Sequence, residues 1–357
     1  MQKVNFRTFA FQAKQSMSIK TAIVILNWNG RQFLKDFLPF VLQYNSDSAE
    51  IFVADNKSSD DSLELLENEF PSVHIIPLEK NYGFAEGYNK ALKQISAEYY
   101  VLLNSDIEVT ENWLDPLIKY LDDNPDVAAS QPKIKSWHQR DTFEYAGAGG
   151  GYIDYLGYPF CRGRIFQSLE KDQGQYDDIQ NVFWASGACL FVRASVFHDL
   201  GGFDSDFFAH MEEIDFCWRA KNKDYRIVYN PSSTVYHIGG GTLPKNNPKK
   251  TYLNFRNNFC LLFKNTPKEK LLPVFFSRLI LDGIAALKFL SDGGYKDLAA
   301  VFHAHIYFYK NLRKLRRKRK NLTQKPVSEV YNKNIAYEHF IRGKRSFKEL
   351  DLTQFTK

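Results

Sequence analysis

Tyr99-Tyr-Val-Leu-Leu-Asn-Ser-Asp106 is an apolar run that ends in two polar side chains two residues apart. It predicts a buried strand that delivers Asn104 and Asp106 to its carboxyl end. In open α/β sheets, ligands bind in the crevice beyond that end. An amide and a carboxylate there can hold a hydrated divalent cation and the phosphates it bridges. The same residues also suit a plain Asx-type turn. Two earlier strands tip the balance, because they end in polar residues too. Residues 22–27 close on Asn27, with Asn29 just beyond, and residues 50–55 close on Asp55-Asn56. Amides and a carboxylate at adjacent strand ends can read a nucleobase edge and ribose hydroxyls. No Gly-rich phosphate loop follows the first strand, which argues against a dinucleotide-binding fold.

Between these strands the apolar period changes. Phe33, Leu34, Phe37, Leu38, Val41 and Leu42 recur at helical spacing, as do Leu63, Leu66 and Phe70 before Pro71. A third strand is expected over 73–77, a helix over 85–95, and another helix around Trp113, Leu117, Ile118 and Leu121. Alternating strand and helix implies a parallel sheet covered on both faces. Beyond residue 130 the pattern breaks. Residues 137–181 are rich in Gly, Tyr and Phe and read as ordered loops and short strands, suited either to a carbohydrate surface or to irregular packing. A strand is expected over 188–193 and a helix over 212–222.

The four cysteines, Cys161, Cys189, Cys217 and Cys260, lie far apart without ligand spacing. That favours reduced thiols in a cytosolic setting over a disulfide frame or zinc site. The formal net charge is +6, yet residues 310–320 alone hold eight Lys or Arg and no acid. The remainder is therefore close to neutral, and the basic character is local. Residues 1–20 are polar and basic without an apolar core, so no signal peptide is read there. They are treated as an N-terminal extension.

The segment Phe207-Phe-Ala-His-Met-Glu-Glu-Ile-Asp-Phe-Cys-Trp-Arg219 concentrates three acids among aromatic rings. Acids at a helix start are favoured by the helix dipole alone. A carboxylate against apolar walls, however, has its pKa raised and can serve as a general base. Asp215 and Arg219 stand four apart and are expected to pair, which leaves Glu213 for chemistry. His237 precedes three glycines and is a candidate ligand for the same cation as Asp106. Asn81-Tyr-Gly-Phe-Ala-Glu-Gly-Tyr-Asn89 opens a helix with two glycines, which permits close backbone approach to a ligand.

In this order and spacing, these blocks resemble the family 2 glycosyltransferases of GT-A fold, especially a bacterial rhamnosyltransferase-like branch. The resemblance covers about residues 20–265. It rests on Ile25-Leu-Asn-Trp-Asn29, Val53-Ala-Asp-Asn-Lys-Ser-Ser-Asp60, the Asn81 and Leu102-Leu-Asn-Ser-Asp106 blocks, Ser186-Gly-Ala-Cys-Leu-Phe-Val-Arg193, Gly201-Gly-Phe-Asp204, the Glu212 block and the His237 block. It implies an open, mostly parallel sheet with helices on both faces, over residues 21–265. Residues 21–130 would form the nucleotide-sugar half and 131–265 the acceptor and catalytic half. It also implies a nucleotide-diphosphate sugar donor, a divalent metal (Mg2+ or Mn2+), and inversion in a single displacement. Asn27, Asp55, Asn81, Asn89, Asn104 and Asp106 would bind the donor, Asp106 and His237 the metal, and Trp184 and Gly187 the acceptor. Glu213, with Asp215 beside it, would be catalytic. Asn104 stands where the family has the first acid of Asp-x-Asp, and Glu213 where it commonly has Asp. These departures keep two rivals open: a sugar-nucleotide-binding subunit that no longer transfers, and a sugar nucleotidyltransferase.

Residues 266–357 are expected to form a C-terminal helical region. Residues 271–290 are apolar but interrupted by Pro273, Arg278, Asp282 and Lys288, which fails the requirement for a spanning helix. Residues 298–309 carry no formal charge but number only twelve, and the basic run follows. An apolar helix with a basic cluster reads as an interfacial anchor on an anionic membrane surface, and a helical subdomain is the plainer alternative. No nucleic-acid recognition motif accompanies the charge. The expected setting is the cytoplasmic face of the cell membrane, with a lipid-linked or oligosaccharide acceptor.

Overall fold

The computed structural model describes residues 19–239 and 247–357. The first strand, β1 (Ile19–Asn27), is buried through its centre and pairs in parallel with β2 (Ala49–Asp55) and β4 (Ala97–Leu103). Strand β3 (His74–Pro77) adds to β2, also in parallel. The crossovers are α1 (Arg31–Gln43), α2 (Ser62–Glu69) and α3 (Gly83–Leu92). Each buries an apolar stripe on the sheet; Leu34, Phe37, Leu38 and Val41 do so for α1.

Beyond β4 the sheet becomes mixed. The short β5 (Ile107–Val109) is followed by α4 (Asp115–Asp123) and the ten-residue β6 (Val127–Ser136). Strand β12 (Cys189–Arg193) inserts antiparallel between β4 and β6. The twelve-residue β13 (Arg226–His237) runs parallel to β6, with β11 (Gln180–Val182) at the edge. Two buried apolar clusters lie on the sheet, so both faces are covered.

The Gly-rich stretch forms a second, smaller sheet of β7 (Gly151–Asp154), β8 (Pro159–Cys161), β9 (Arg164–Ile165) and β10 (Ser168–Leu169). Its fifth strand, β14 (Val330–Tyr331), comes from the far end of the chain and pairs in parallel with β7. Helices α5 (Ala194–Asp199) and α6 (Glu212–Lys221) precede β13. The next four, α7 (Pro248–Asn265), α8 (Lys268–Ser291), α9 (Tyr295–Lys310) and α10 (Leu312–Lys320), come after it. The basic run is therefore a helix and not a tail. Residues 321–357 return to the body, where Asp154 accepts from the Ile335 amide at 2.9 Å, and α11 (Ile335–Phe340) follows. All four cysteines are buried free thiols. Among the described residues, no helix is long and apolar enough to cross a membrane.

Candidate active site

Three strand ends define the candidate site. Asn27 and Asp55 are direct neighbours in the β1–β2 register, and the Asn27 amide donates to Asp55 at 3.2 Å. Asp55 also accepts from the Ser58 amide at 3.0 Å, while the Asn27 Oδ1 is buried without a partner. An unpartnered buried acceptor is costly unless something fills it. These two expected donor-binding residues therefore lie together at the sheet edge.

Asp106 and His237 are brought together by a ladder that sequence reading does not reveal. Strand β5 pairs antiparallel with the end of β13, so Ile107 faces His237, and the Ile238 amide donates to the Asp106 carbonyl at 3.1 Å. Asp106 Oδ1 then lies 3.2 Å from His237 Nε2, with both side chains largely enclosed. Glu144 approaches the other ring nitrogen, Nδ1, at 3.1 Å; this is a close charge contact and not an aligned hydrogen bond. Burial alone would lower the imidazole pKa, but Asp106 and Glu144 outweigh it and push it up to about 10. Burial would raise both carboxylates, and His237 holds them below their usual range instead.

These residues fit a divalent cation. A carboxylate oxygen and an imidazole nitrogen face each other at 3.2 Å, a donor pair of the kind that would hold a divalent cation. A metal-bound histidine commonly has its second nitrogen held by a carboxylate, the place Glu144 occupies. Among the described residues, no cluster of three or more His, Cys, Asp and Glu side chains forms a full cage. Two protein ligands completed by phosphate and water suit Mg2+-like chemistry. Residues 240–242 of the His237 block lie outside the described residues.

Glu213 opens α6 beside the β4 end. The Asn104 amide donates to the Ala188 carbonyl at 2.9 Å, which sets the Gly187-Ala188 turn against the crevice. A Cβ added at Gly187 would meet Phe84 at 3.2 Å and Glu213 Cβ at 3.8 Å. A side chain at Gly187 would crowd Phe84 and lie in ordinary contact with Glu213. Burial raises the Glu213 carboxyl to about 7 against backbone amide donors, and its Oε2 has no partner. Burial and the Glu213 charge push the adjacent Glu212 well above the usual carboxylate range.

The loop that feeds α6 is strained. Phe208, His210 and Met211 have φ of 59°, 70° and 73°, a region L-residues rarely occupy. Asn257 on α7 holds it by donating to the carbonyls of Phe207, Ala209 and His210 at 2.7–2.9 Å. From the other side, the Phe84 and Ala85 amides donate to the Phe208 carbonyl. Strain of this kind persists only where surroundings over-determine it. Asn257 has no sequence motif around it, and neither does Glu144; only the folded contacts mark them.

Several expected site residues are committed elsewhere. Both amide atoms of Asn89 bond the Phe203 backbone at 2.9 Å, so it clamps the loop before α6. Asn81 accepts from the Gly83 amide and the Asn56 side chain and shapes the entry to α3. Trp184 is 4% exposed, packs on Gly151 and donates its indole N–H to the Tyr152 carbonyl at 2.9 Å. It belongs to the core, because Gly151 has no Cβ and lets the indole close over it. Asp215 is fully enclosed and bound by Arg219 at 2.8 Å, and by Lys264 and Asn265 at 2.9 Å. It ties α6 to α7 and is not free for proton transfer. Removing one partner of a buried ion pair leaves an uncompensated charge and costs about 3–5 kcal/mol. Asp215→Asn is therefore expected to lower unfolding stability on that scale in a denaturant titration.

The sequence profile of "Glycosyl transferase family 2" matches residues 22–201. The chain is 25% identical over 233 residues to an N-acetylglucosaminyl-diphospho-decaprenol L-rhamnosyltransferase of Mycobacterium tuberculosis (strain ATCC 25618 / H37Rv), covering 60% of this chain and 75% of the relative. It is 24% identical over 256 residues to a low-salt glycan biosynthesis hexosyltransferase of Haloferax volcanii, covering 70% and 77%. In fold it is similar to GalNAc-T7 solved with UDP, GalNAc and Mn2+, at TM-score 0.55 and 16% identity. That match covers 71% of this chain and 49% of the other, so this chain spans about half of that protein. A mannosyltransferase from Pyrobaculum calidifontis, solved with GDP-Man and Mn2+, gives a TM-score of 0.50 at 13% identity, covering 85% of each. The mixed α/β sheet with its C-terminal helices is of GT-A type. The chain belongs to glycosyltransferase family 2 and is rhamnosyltransferase-like.

Proposed function

We propose that this protein is an inverting, cation-dependent glycosyltransferase that moves a sugar from a nucleotide-diphosphate donor to a lipid-linked or polysaccharide acceptor in surface glycan synthesis. The observation that carries it is the buried Glu213 carboxyl, raised to about 7 with its Oε2 unpartnered, beside the Gly187 turn that abuts the β4 end. Asp55 and Asn27 would hold the nucleoside end of the donor, with Asn81 and Asn89 setting the loops around it. Asn104 would face its diphosphate. Glu213 takes the proton from the acceptor hydroxyl as the acceptor oxygen bonds the anomeric carbon and the bond to diphosphate breaks. Asp106 and His237 would hold a divalent cation, which when bound offsets the charge that develops on the departing diphosphate.

The relatives named above include a decaprenol-linked rhamnosyltransferase, which supports the acceptor class. The solved complexes with UDP, GDP-Man and Mn2+ support the donor class and the cation. Measuring nucleoside diphosphate release with and without acceptor tests the reading. Release only with acceptor is expected. A subunit that only binds would release none, and a nucleotidyltransferase would release none here but would form pyrophosphate from a nucleoside triphosphate and a sugar 1-phosphate. We divide the chain as 21–265, catalytic, and 266–357, C-terminal, in which 266–320 would associate with the membrane and 321–357 packs back on the catalytic part.

Glu144 would act through His237, fixing the ring so that Nε2 faces Asp106. Glu144→Gln is expected to weaken cation affinity about 10–100-fold, the usual scale for a group behind a metal ligand. Cation-dependent thermal stabilisation reads this without any turnover.

We also propose that the protein attaches peripherally to the inner face of the membrane. Of the eight cations in 310–320, Lys314 and Lys318 pair with Asp204 and Asp206, and Arg319 donates to carbonyls at the end of α7. The other five are exposed and available to anionic lipid.

A further inference from the structure

Helix α8 is inverted relative to a helix on a water-facing surface. Its buried positions are Val274, Arg278 and Asp282. Arg278 pairs with Asp282 at 3.0 Å, donates to the Leu156 carbonyl at 2.9 Å and lies over the Tyr158 ring. Asp282 also stands 3.1 Å from His305 on α9. The opposite side carries Leu272, Phe276, Ile280, Ile284, Leu287 and Leu290, each 50% exposed or more. Steps of four, four, four, three and three place them on one face. On α9, which packs on α8, Tyr295, Phe302 and Tyr309 recur every seven residues and are 54–65% exposed. Charges turned inward and a long apolar ridge turned outward is the reverse of the pattern that water selects.

We propose that the α8 ridge inserts into the headgroup–acyl boundary of an anionic bilayer and is the principal anchor. The proposal deepens the peripheral attachment proposed above and rests on it. Charge complementarity identifies the occupant. Lys296 and Lys310 flank the α9 aromatics, and Arg313, Arg316, Arg317 and Lys320 are exposed at i, i+3, i+4 and i+7 of one α10 face. No Asp or Glu interrupts residues 298–328, so the cationic face has no acid of its own sequence to offset it. A second copy would bring that row against itself across a two-fold axis, whereas anionic headgroups would neutralise it. Tyrosines beside an apolar face suit a headgroup layer, where one end is apolar and the other wet.

Flotation of the full chain with phosphatidylcholine vesicles, with and without phosphatidylglycerol, tests this at low and high salt. The wild type is expected to float with anionic vesicles at low salt and to keep part of that binding at high salt. Phe276→Glu with Ile284→Glu should reduce the partition at least about tenfold at both salts. Arg316→Glu with Arg317→Glu should reduce it mainly at low salt. All four positions are exposed, and an unchanged thermal melt checks the fold. Transfer to a water-soluble acceptor should be unaltered in both variants, so failure of the enzymatic reading shows separately. Wild-type flotation by F276E/I284E overturns the ridge and leaves the purely electrostatic attachment. Absence of flotation by every form overturns both. A lipid-free wild-type dimer that F276E/I284E splits into monomers would assign the ridge to a second copy and overturn the proposal.

Discussion

Glu213→Gln is expected to lower turnover by about 10²–10⁴-fold, the usual scale for losing a positioned general base. The substitution keeps the size of the side chain and removes only its basicity. Among the described residues Glu213 has no ion-pair partner and its Oε2 has no hydrogen-bond partner, so no side-chain ion-pair network collapses with it. Donor affinity, measured by nucleotide titration, should be nearly unchanged, because the strand ends that would hold the donor are untouched. The comparison with Asp215→Asn is diagnostic. Asp215 is locked by Arg219, Lys264 and Asn265, so its loss should appear in stability first. If a folded Asp215→Asn lost turnover and Glu213→Gln did not, the base would be Asp215.

The same carboxyl sets a pH dependence. A base must be ionised to accept a proton, and burial places the Glu213 titration at about 7. The rate with free enzyme and dilute substrate should therefore fall as pH drops through that value and level off above it. A profile flat from pH 5 to 8 would be incompatible with Glu213 as the base. Glu212 is also raised, and the two neighbours interact, so the limb belongs to the pair.

Much of the site was legible because strand ends carry local signatures. The apolar run before Asn104 and the polar closes at Asn27 and Asp55 state where the sheet edge lies. Four acids and amides at such an edge need no tertiary knowledge to be noticed. The placement of His237 against Asp106 required the β5–β13 ladder, and β5 has only three residues. Glu144 was invisible for the same reason, since it lies far along the chain from both partners. The motif around Asn89 was seen, but its use was not: its amide serves the Phe203 backbone, a contact 114 residues away. Strand β6 was missed because Pro132 lies inside it, opposite the register shift between Tyr229 and Thr234. In α8, Arg278 and Asp282 read as interruptions of an apolar segment. Hydropathy cannot say which side of a helix meets the protein, and here the charged side does.

Stripping divalent cations with a chelator is expected to abolish most turnover, and Asp106→Ala should do the same irreversibly. Three physical points support a large effect. The bond to diphosphate breaks with negative charge developing on the leaving oxygen, and without a cation the charge of His237 is already offset by Asp106 and Glu144, so the cluster offers no net positive charge to meet it. Asn104 is neutral where a second acid is common, so Asp106 carries the negative charge of this pair alone. His237 can contribute only as a neutral imidazole, yet without a cation its pKa is pushed up to about 10 by Asp106 and Glu144. Binding a cation must therefore displace a proton from His237, and apparent affinity should rise with pH. His237→Ala should weaken binding but keep some activity, because Asp106, the diphosphate and water remain. Calorimetric titration of Mn2+ with nucleoside diphosphate present reads affinity and proton release directly, in buffers of different ionisation enthalpy. Full activity in excess chelator, or Mn2+ affinity equal in wild type and Asp106→Ala, would remove the cation from this site. The Asp106–His237 pair would then stand as a structural ion pair that joins β5 to β13.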